Sequence, residues 1–312
     1  MKRRKDPSEA KDFVRKANRL AHEIPPASRE ETHFRHSHWC QRREKVKNAL
    51  LSCGMNEFQL NRWNECGSCC TVEYSKSSKK FRLRANYCKC RHCEPCQRQK
   101  ANLIAGNLHR RLKDKAQGRY AFLTLTLKHT DQPLKTQIDR LYAAFKKLRQ
   151  VKDFKRANVG GAFVLEVKWD EKTRHWHPHL HIITEGYFLA QKRLSDLWLQ
   201  VTGDSSVVDI RALKNARDAS YYVSKYITKG TTSNVWNDLS AAQEWITATK
   251  GVRTCATFGK WRGFKLLQVL KEETDFAPIC TLTRLIQAGK RGEPWAIDVM
   301  LALRPQRDKP PD

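Results

Sequence analysis

The sequence predicts an α+β fold in which helices pack on an antiparallel sheet. Alternating apolar and polar residues indicate strands at residues 120–128 and 163–169, and a histidine-rich strand at residues 174–184. Apolar residues at helical spacing separate the first strand from the second and follow the third. With one further strand, the order βαββαβ resembles the ferredoxin-like or RRM-like class, and a small cysteine-rich module precedes it.

The elements of this sheet follow one another along residues 120–228. The first strand places Thr124, Thr126 and Lys128 on one face, because alternate residues of a strand share a face. The helix after it has an apolar side formed by Ile138, Leu141, Tyr142, Phe145 and Leu148. The paired strands are followed by a helix at residues 189–201, a strand at 207–210 and a helix at 216–228.

Four regions are predicted along the 312 residues. They are a basic helical region at residues 1–65, a cysteine-rich module with a basic helix at 66–115, the sheet domain at 116–265, and a C-terminal helical region with a polar tail at 266–312. Residues 278–303 of the last region are predicted to form one or two helices.

The composition makes nucleic acid the leading partner. A formal net charge of +28 attracts polyanions, and an acidic membrane surface is the weaker alternative. The sequence has no run of about 18 apolar residues and no apolar segment near its N-terminus like that of a signal peptide. We therefore expect a cytoplasmic protein that makes no membrane contacts.

Seven of the eleven cysteines lie within residues 66–96. Cys66 and Cys69 form one C-x-x-C pair and Cys93 and Cys96 form another, so four thiolates can close a tetrahedron around structural Zn²⁺. Cys88 is an alternative ligand. Residues 71–74 and 80–84 between the pairs read as the two strands of a ribbon. The other interpretation is a reduced cysteine cluster without metal.

The histidine-rich strand is the leading candidate for chemistry. His179 and His181 alternate with apolar residues and share one face, and Glu166 lies centrally in the preceding strand. Two imidazoles and a carboxylate can hold a metal ion. The alternative is a histidine-rich hairpin with solvated rings.

The predicted helix at residues 216–228 carries a second feature. Tyr222 and Tyr226 are four residues apart and share one face, and Lys225 and Lys229 form a neighbouring ridge. A tyrosine hydroxyl beside a lysine and a bound cation can be drawn toward phenolate and attack phosphorus. Tyrosines at this spacing are in most proteins core or interface residues.

Three motifs occur in order at residues 123–126 (Leu-Thr-Leu-Thr), 177–181 (His-Pro-His-Leu-His) and 222–229 (a tyrosine and lysine helix). Together they resemble the motifs of the HUH endonucleases, and in particular of the replication initiators of rolling-circle plasmids. The resemblance covers about residues 66–265 and implies that residues 116–265 are an HUH-type catalytic domain.

The resemblance also implies residue roles. His179 and His181 would bind a divalent cation, Mg²⁺ or Mn²⁺, and Glu166 would complete the site. Tyr226 matches the nucleophile of single-tyrosine relatives, whereas Tyr222 stands where those relatives have glutamate. Tyrosine at both positions resembles the two-tyrosine branch of the family.

The implied reaction is transesterification of single-stranded or hairpin origin DNA. Tyr226 attacks the scissile phosphate, and Lys225 orients the tyrosine or the phosphate. The products are a 5′-phosphotyrosine and a free 3′ hydroxyl that can prime a host polymerase, with a host helicase as a further partner. The expected DNA contacts are Tyr226, Lys128, Lys229 and Arg98.

Three alternative functions remain. An HUH-type transposase of a single-strand insertion element would share every catalytic residue. A zinc-dependent DNA-binding repressor would use the histidine strand only structurally and would form no covalent adduct with DNA. A conjugative relaxase fits less well, since its tyrosine precedes the histidine motif.

Overall fold

The computed structural model describes residues 39–113, 119–213, 233–268 and 275–303. The chain divides into two units. The smaller unit comprises the described parts of residues 1–40, 56–90 and 270–309, and the larger comprises residues 41–55 and the described part of 91–269. Each unit contains a sheet of its own.

Nine α-helices and eight strands lie within the described residues. In chain order they are α1 (Cys40–Ser52), α2 (Glu57–Asn64), β1 (Thr71–Ser75), β2 (Lys80–Arg84), α3 (Glu94–Lys113), β3 (Tyr120–Thr126), α4 (Leu134–Leu148), α5 (Lys152–Ala157), β4 (Asn158–Asp170), β5 (His175–Gly186), α6 (Gln191–Thr202), β6 (Val208–Leu213), α7 (Leu239–Ala248), β7 (Cys255–Gly259), β8 (Phe276–Thr281), α8 (Leu282–Lys290) and α9 (Pro294–Leu303).

The larger unit is built on a five-stranded sheet in the order β6-β3-β5-β4-β7. Every neighbouring pair in it is antiparallel. The first four strands have the order of a ferredoxin-like sheet, and β7 extends the β4 edge. The long β4–β5 hairpin turns at residues 171–174, where Asp170 Oδ1 accepts a hydrogen bond from the backbone N–H of Lys172 at 2.9 Å and Arg174 has a left-handed φ of 57°.

Helices cover both faces of this sheet, because apolar side chains alternate to either side of each strand. Helices α4, α6 and α7 pack on one face, against residues that include Leu125, Val167 and Leu180. Helix α3 packs on part of the other face, where Ile104 and Leu108 belong to a core cluster with Phe122, Val164 and Ile183. The polar side chains of β3, β4 and β5 lie on this second face.

The smaller unit is a three-stranded sheet in the order β2-β1-β8, with α8 and α9 packed on it. Glu73 of β1 is buried and its carboxylate accepts a hydrogen bond from Arg82 Nε at 2.7 Å. The β1–β2 hairpin matches the predicted ribbon. The prediction for residues 278–281 was wrong, since they belong to strand β8 and not to a helix.

The local sequence near strand β8 favours a helix, and the strand forms through a contact with a distant segment. Thr281 caps the helix that follows, because its side chain accepts a hydrogen bond from the backbone N–H of Arg284. Pro278 lies in an edge strand beside a bulge between Val72 and Glu73, where a residue without an N–H is tolerated. Strand β8 pairs with β1, which lies about 200 residues earlier in the sequence, and no local pattern reveals such a pairing.

The predicted α+β order is confirmed for the described part of the larger unit: β3, α4, β4, β5, α6 and β6 follow one another as expected. Helix α5 is an additional short element before β4. The predicted helix at residues 216–228 and most of the predicted basic region at 1–65 lie outside the described residues. Among the residues described, no helix is both long and apolar enough to cross a membrane.

Candidate functional site

Three adjacent strands bring the candidate residues together on one face of the larger sheet. In β5, His175, His177, His179 and His181 occupy alternate positions. Thr126 of β3 pairs with His179 and Thr124 pairs with His181, while Glu166 of β4 pairs with His179 from the other side. The central strand therefore presents its histidines between a row of hydroxyls and a carboxylate.

His181 is a buried histidine with a partner at each ring nitrogen. Its Nε2 lies 2.7 Å from Glu166 Oε2, and its Nδ1 lies 3.1 Å from Thr124 Oγ1. The ring stacks on Phe122, with centroids 5.7 Å apart and an angle of 10° between the planes. Glu166 is also buried, so the pair is shielded from water on both sides.

The hydrogen bonding of His179 differs from that of His181 at one ring nitrogen. Its Nδ1 lies 3.0 Å from Thr126 Oγ1, but its Nε2 is buried and has no hydrogen-bond partner among the described residues. Burial and the nearby Lys168 lower the pKa of His179 to about 4, so the imidazole is neutral at neutral pH. A buried polar atom without a partner is rare and costly, which points to a group that this nitrogen would bind.

The residue types on this face suit a divalent cation. The ring centroids of His179 and His181 are 6.3 Å apart, and both rings belong to the face that carries the Glu166 carboxylate. Two imidazole nitrogens and one carboxylate are ligands for a divalent ion such as Mn²⁺. The threonine hydroxyls at Nδ1 can donate or accept, so each satisfies its imidazole in either tautomer.

A second group of histidines lies toward the start of β5. His129 follows β3, and its Nε2 lies 2.6 Å from His175 Nδ1. Its Nδ1 lies 3.3 Å from His177 Nδ1. The centroid of the His129 ring is 4.6 Å from that of His175 and 4.4 Å from that of His177. The resemblance to the HUH endonucleases suggests that His175 and His177 support the metal ligands or contact DNA, and it gives His129 no role.

A cysteine group forms the other candidate metal centre. Cys66, Cys88, Cys93 and Cys96 are buried, and their ligand atoms all lie within 4.8 Å of one another. Four cysteine sulfurs at this spacing can bind a metal such as zinc in tetrahedral geometry. Arg43 Nη1 also lies 2.6 Å from Cys93 Sγ.

This group contains Cys88, the alternative ligand, and does not include Cys69. The backbones of Gly67 and Asn86 are hydrogen-bonded at 2.8 Å, and those of Asn86 and Ser68 at 3.0 Å. This pairing brings the segment before Gly67 beside the segment after Asn86, and therefore Cys66 beside Cys88. Cys69 has a left-handed φ of 52° and is exposed. Sequence spacing alone favours the C-x-x-C pair, because it cannot reveal this local pairing.

The remaining predicted residues are not brought to the histidine face by any described contact. Lys128 is exposed just beyond β3, and its backbone N–H donates to Ser205 Oγ at 2.8 Å. Arg98 lies in α3. Tyr222, Lys225, Tyr226 and Lys229 lie outside the described residues. Thr124 and Thr126 are further functional residues for which the sequence predicts a shared face but no role. The signal that could have identified them is that they alternate along the strand, as His179 and His181 do.

Comparison with known proteins gives a consistent family. The model of a family described as a replication protein, Rep_1, matches residues 79–284. A protein named Protein rep from Staphylococcus aureus is 26% identical over 206 residues, which cover 61% of this chain and 90% of that protein. A Protein rep from Bacillus amyloliquefaciens is 27% identical over 171 residues, half of each chain, and one from Bacillus sp is 29% identical over 144 residues, 42% of this chain and 47% of that protein.

No solved structure is significantly similar to the chain. The chain spans nearly all of the staphylococcal relative but only about half of the two Bacillus relatives. The family match covers well over half of the 312 residues and includes β3, β4, β5 and the cysteine pair at 93 and 96. The chain therefore belongs to the Rep_1 family of replication proteins.

Proposed function

We propose that this replication protein is a rolling-circle initiator that nicks and rejoins one strand of plasmid origin DNA. The observation that carries the proposal is the buried Nε2 of His179, which has no hydrogen-bond partner in the described chain and lies on the sheet face shared with the His181–Glu166 pair. A group of this kind costs stability unless it binds something. In a replication protein, the ligand that we assign to this nitrogen is a cation that acts on a phosphodiester.

His179, His181 and Glu166 would hold Mg²⁺ or Mn²⁺. When bound, such an ion withdraws charge from a non-bridging oxygen of the scissile phosphate and orients it. The chain supplies the rest of the centre. Thr126 and Thr124 fix the orientations of the two imidazoles through Nδ1, at 3.0 Å and 3.1 Å.

The nucleophile of the proposal is Tyr226, chosen from the motif order in the sequence. Its phenolic oxygen bonds to phosphorus as the bond from phosphorus to the 3′ oxygen of the preceding nucleotide breaks. The phenolic proton passes to solvent, and the leaving 3′ oxygen takes a proton from solvent to become the 3′ hydroxyl. Lys225 orients the tyrosine or the phosphate, and Tyr222 performs the second transfer, in which the DNA strand is rejoined. The phosphotyrosine bond conserves the free energy of the phosphodiester, so no ATP is consumed.

The excess of positive charge supports binding of single-stranded or hairpin origin DNA. With a formal charge of +28, the protein gains affinity from release of counterions along the phosphate backbone. We assign backbone contacts to Lys128, Lys229 and Arg98. The free 3′ hydroxyl would then serve a host polymerase, with a host helicase opening the duplex, in the cytoplasm.

The test is formation of a covalent protein–DNA adduct. The protein is incubated with labelled single-stranded DNA from the region flanking its gene and with Mn²⁺, and complexes that resist SDS are counted. We expect wild type to form an adduct and His179→Ala to lose it while keeping its fold and its non-specific DNA affinity. His109→Ala, a partly exposed histidine in α3, is the matched control and should retain the adduct.

The same assay separates the alternatives. DNA binding without any adduct, across a library of single-stranded sequences, contradicts the proposal and favours the zinc-dependent repressor. Adducts followed by strand transfer into unrelated target DNA would identify the transposase.

A further inference from the structure

Three histidine rings lie in contact with one another at the start of β5. His175 and His177 alternate along β5 and therefore share a face. Because β3 runs antiparallel to β5 with Thr126 opposite His179, the chain that continues beyond Thr126 runs beside His177 and His175. That continuation carries His129. Two histidines at alternate positions of one strand and a third from the neighbouring strand can offer the three imidazoles of a His₃ zinc site.

The distance between one pair of ring nitrogens matches this use. Two nitrogens that ligate one tetrahedral ion, each about 2.0–2.1 Å from it, are separated by roughly 3.3 Å. His129 Nδ1 and His177 Nδ1 are 3.3 Å apart. His175 Nδ1 meets the other ring nitrogen of His129, at 2.6 Å, so its ring must turn to converge with the first two. His175 is only partly buried and His129 is exposed, so this turn displaces no core residue.

The surrounding charges decide which ion fits. Asp170 is the register partner of His175 and places a carboxylate beside the group, but Lys168 is the partner of His177 and places a like charge there. These two charges offset each other, so electrostatic attraction alone does not recruit a cation. Imidazole nitrogens select Zn²⁺, Co²⁺, Ni²⁺ or Cu²⁺, whereas Mg²⁺ prefers oxygen ligands.

We propose that His129, His175 and His177 bind one transition-metal ion of the Zn²⁺ class, at a site separate from both the cysteine group and the His179–His181–Glu166 centre. The site ties the segment after β3 to the first residues of β5. It uses three residues that the proposed nicking reaction does not require, so the proposal stands or falls independently of that function.

The experiment measures metal binding in the absence of DNA. The starting protein carries His179→Ala and His181→Ala, so that the other histidine centre cannot contribute, and its cysteine group is first saturated with zinc. Co²⁺ is then titrated while calorimetry gives the stoichiometry and visible absorption reports the ligands. We expect one further Co²⁺ per chain, with a tetrahedral nitrogen and oxygen spectrum and no sulfur charge-transfer band.

Variants in that background locate the ion. His129→Ala and His175→Ala should each weaken Co²⁺ binding by more than about tenfold. His109→Ala, on α3, should leave it unchanged, and excess Mg²⁺ should not compete. Because His129 is exposed, its variant should fold normally, which circular dichroism checks. Absence of the additional ion, or equal binding by the His129→Ala protein, would overturn the proposal.

Discussion

At the level of single residues, the two histidines of the motif differ in their Nε2 atoms. The Nε2 of His181 contacts Glu166, whereas that of His179 is buried without a partner among the described residues. The period-two pattern predicts that the two rings share a face. It does not predict that Thr124 and Thr126 hold their Nδ1 atoms, because those contacts depend on the register between β3 and β5.

The threonine contacts lead to a prediction about cation affinity. Thr126→Val keeps the size of the side chain but removes the hydroxyl that orients His179, so Mn²⁺ affinity should fall about 10–100-fold. Thr126→Ser restores the hydroxyl and should recover most of that affinity. The measurement is Mn²⁺ binding by calorimetry on zinc-loaded protein. Thr257→Val, in β7, is the control, and a loss of equal size there would refute a specific role for Thr126.

The lowered pKa of His179 leads to a prediction about pH and stability. The pKa of a histidine in the unfolded chain is near 6.5, whereas burial lowers the pKa of His179 in the folded protein to about 4, so the unfolded chain binds more protons between these pH values. The contribution of His179 to the free energy of unfolding is therefore fully present above pH 6.5 and is lost as the pH falls toward 4. His179→Gln should make the free energy of unfolding less dependent on pH in this window. Chemical denaturation at several pH values, without added Mn²⁺, compares the slopes, and identical slopes would contradict the assignment.

At the level of elements, the local patterns predict β3, β4 and β5, but the cysteine ligands depend on contacts between segments. The spacing of two C-x-x-C pairs suggests Cys69, whereas the pairing of Gly67 with Asn86 brings Cys88 to the group. Strand β8 was missed for a similar reason, since its partner β1 is distant in sequence. Local patterns identify elements, and register between distant segments decides which side chains meet.

This difference between Cys88 and Cys69 can be tested directly. Cys88→Ser removes a buried thiol of the group and should reduce bound zinc and lower the melting temperature, because binding of a structural metal contributes to folding. Cys69→Ser alters an exposed thiol outside the group and should change neither quantity. Elemental analysis of protein prepared under reducing conditions gives the zinc content. A loss of zinc in Cys69→Ser with none in Cys88→Ser would reverse the assignment.

At the level of the whole molecule, DNA binding, which the net charge supports, should be separable from DNA cleavage, which requires the cation. The net charge of +28 supports DNA affinity without any divalent cation, whereas cleavage requires one in the proposed mechanism. Withholding Mg²⁺ and Mn²⁺ from zinc-loaded protein should abolish nicking but leave most of the non-specific DNA binding, which should weaken steeply with added salt. Gel-shift and nicking assays on the same samples give both quantities. Full nicking activity in samples shown by elemental analysis to contain only zinc would contradict the cation's role.

In the proposed mechanism a tyrosine becomes linked to DNA, and the linkage depends on the centre formed by His179 and His181. The most direct test is peptide mapping of the adduct trapped with Mn²⁺ and single-stranded origin DNA. We predict that wild-type protein carries DNA on the peptide containing Tyr226. The Tyr226→Phe variant should form no adduct in the first transfer, and the His179→Ala variant should form no adduct at all. An adduct on Tyr222 alone would contradict the assignment of the nucleophile. Undiminished adduct in His179→Ala, or nicking with no protein–DNA linkage at all, would contradict the account of the site.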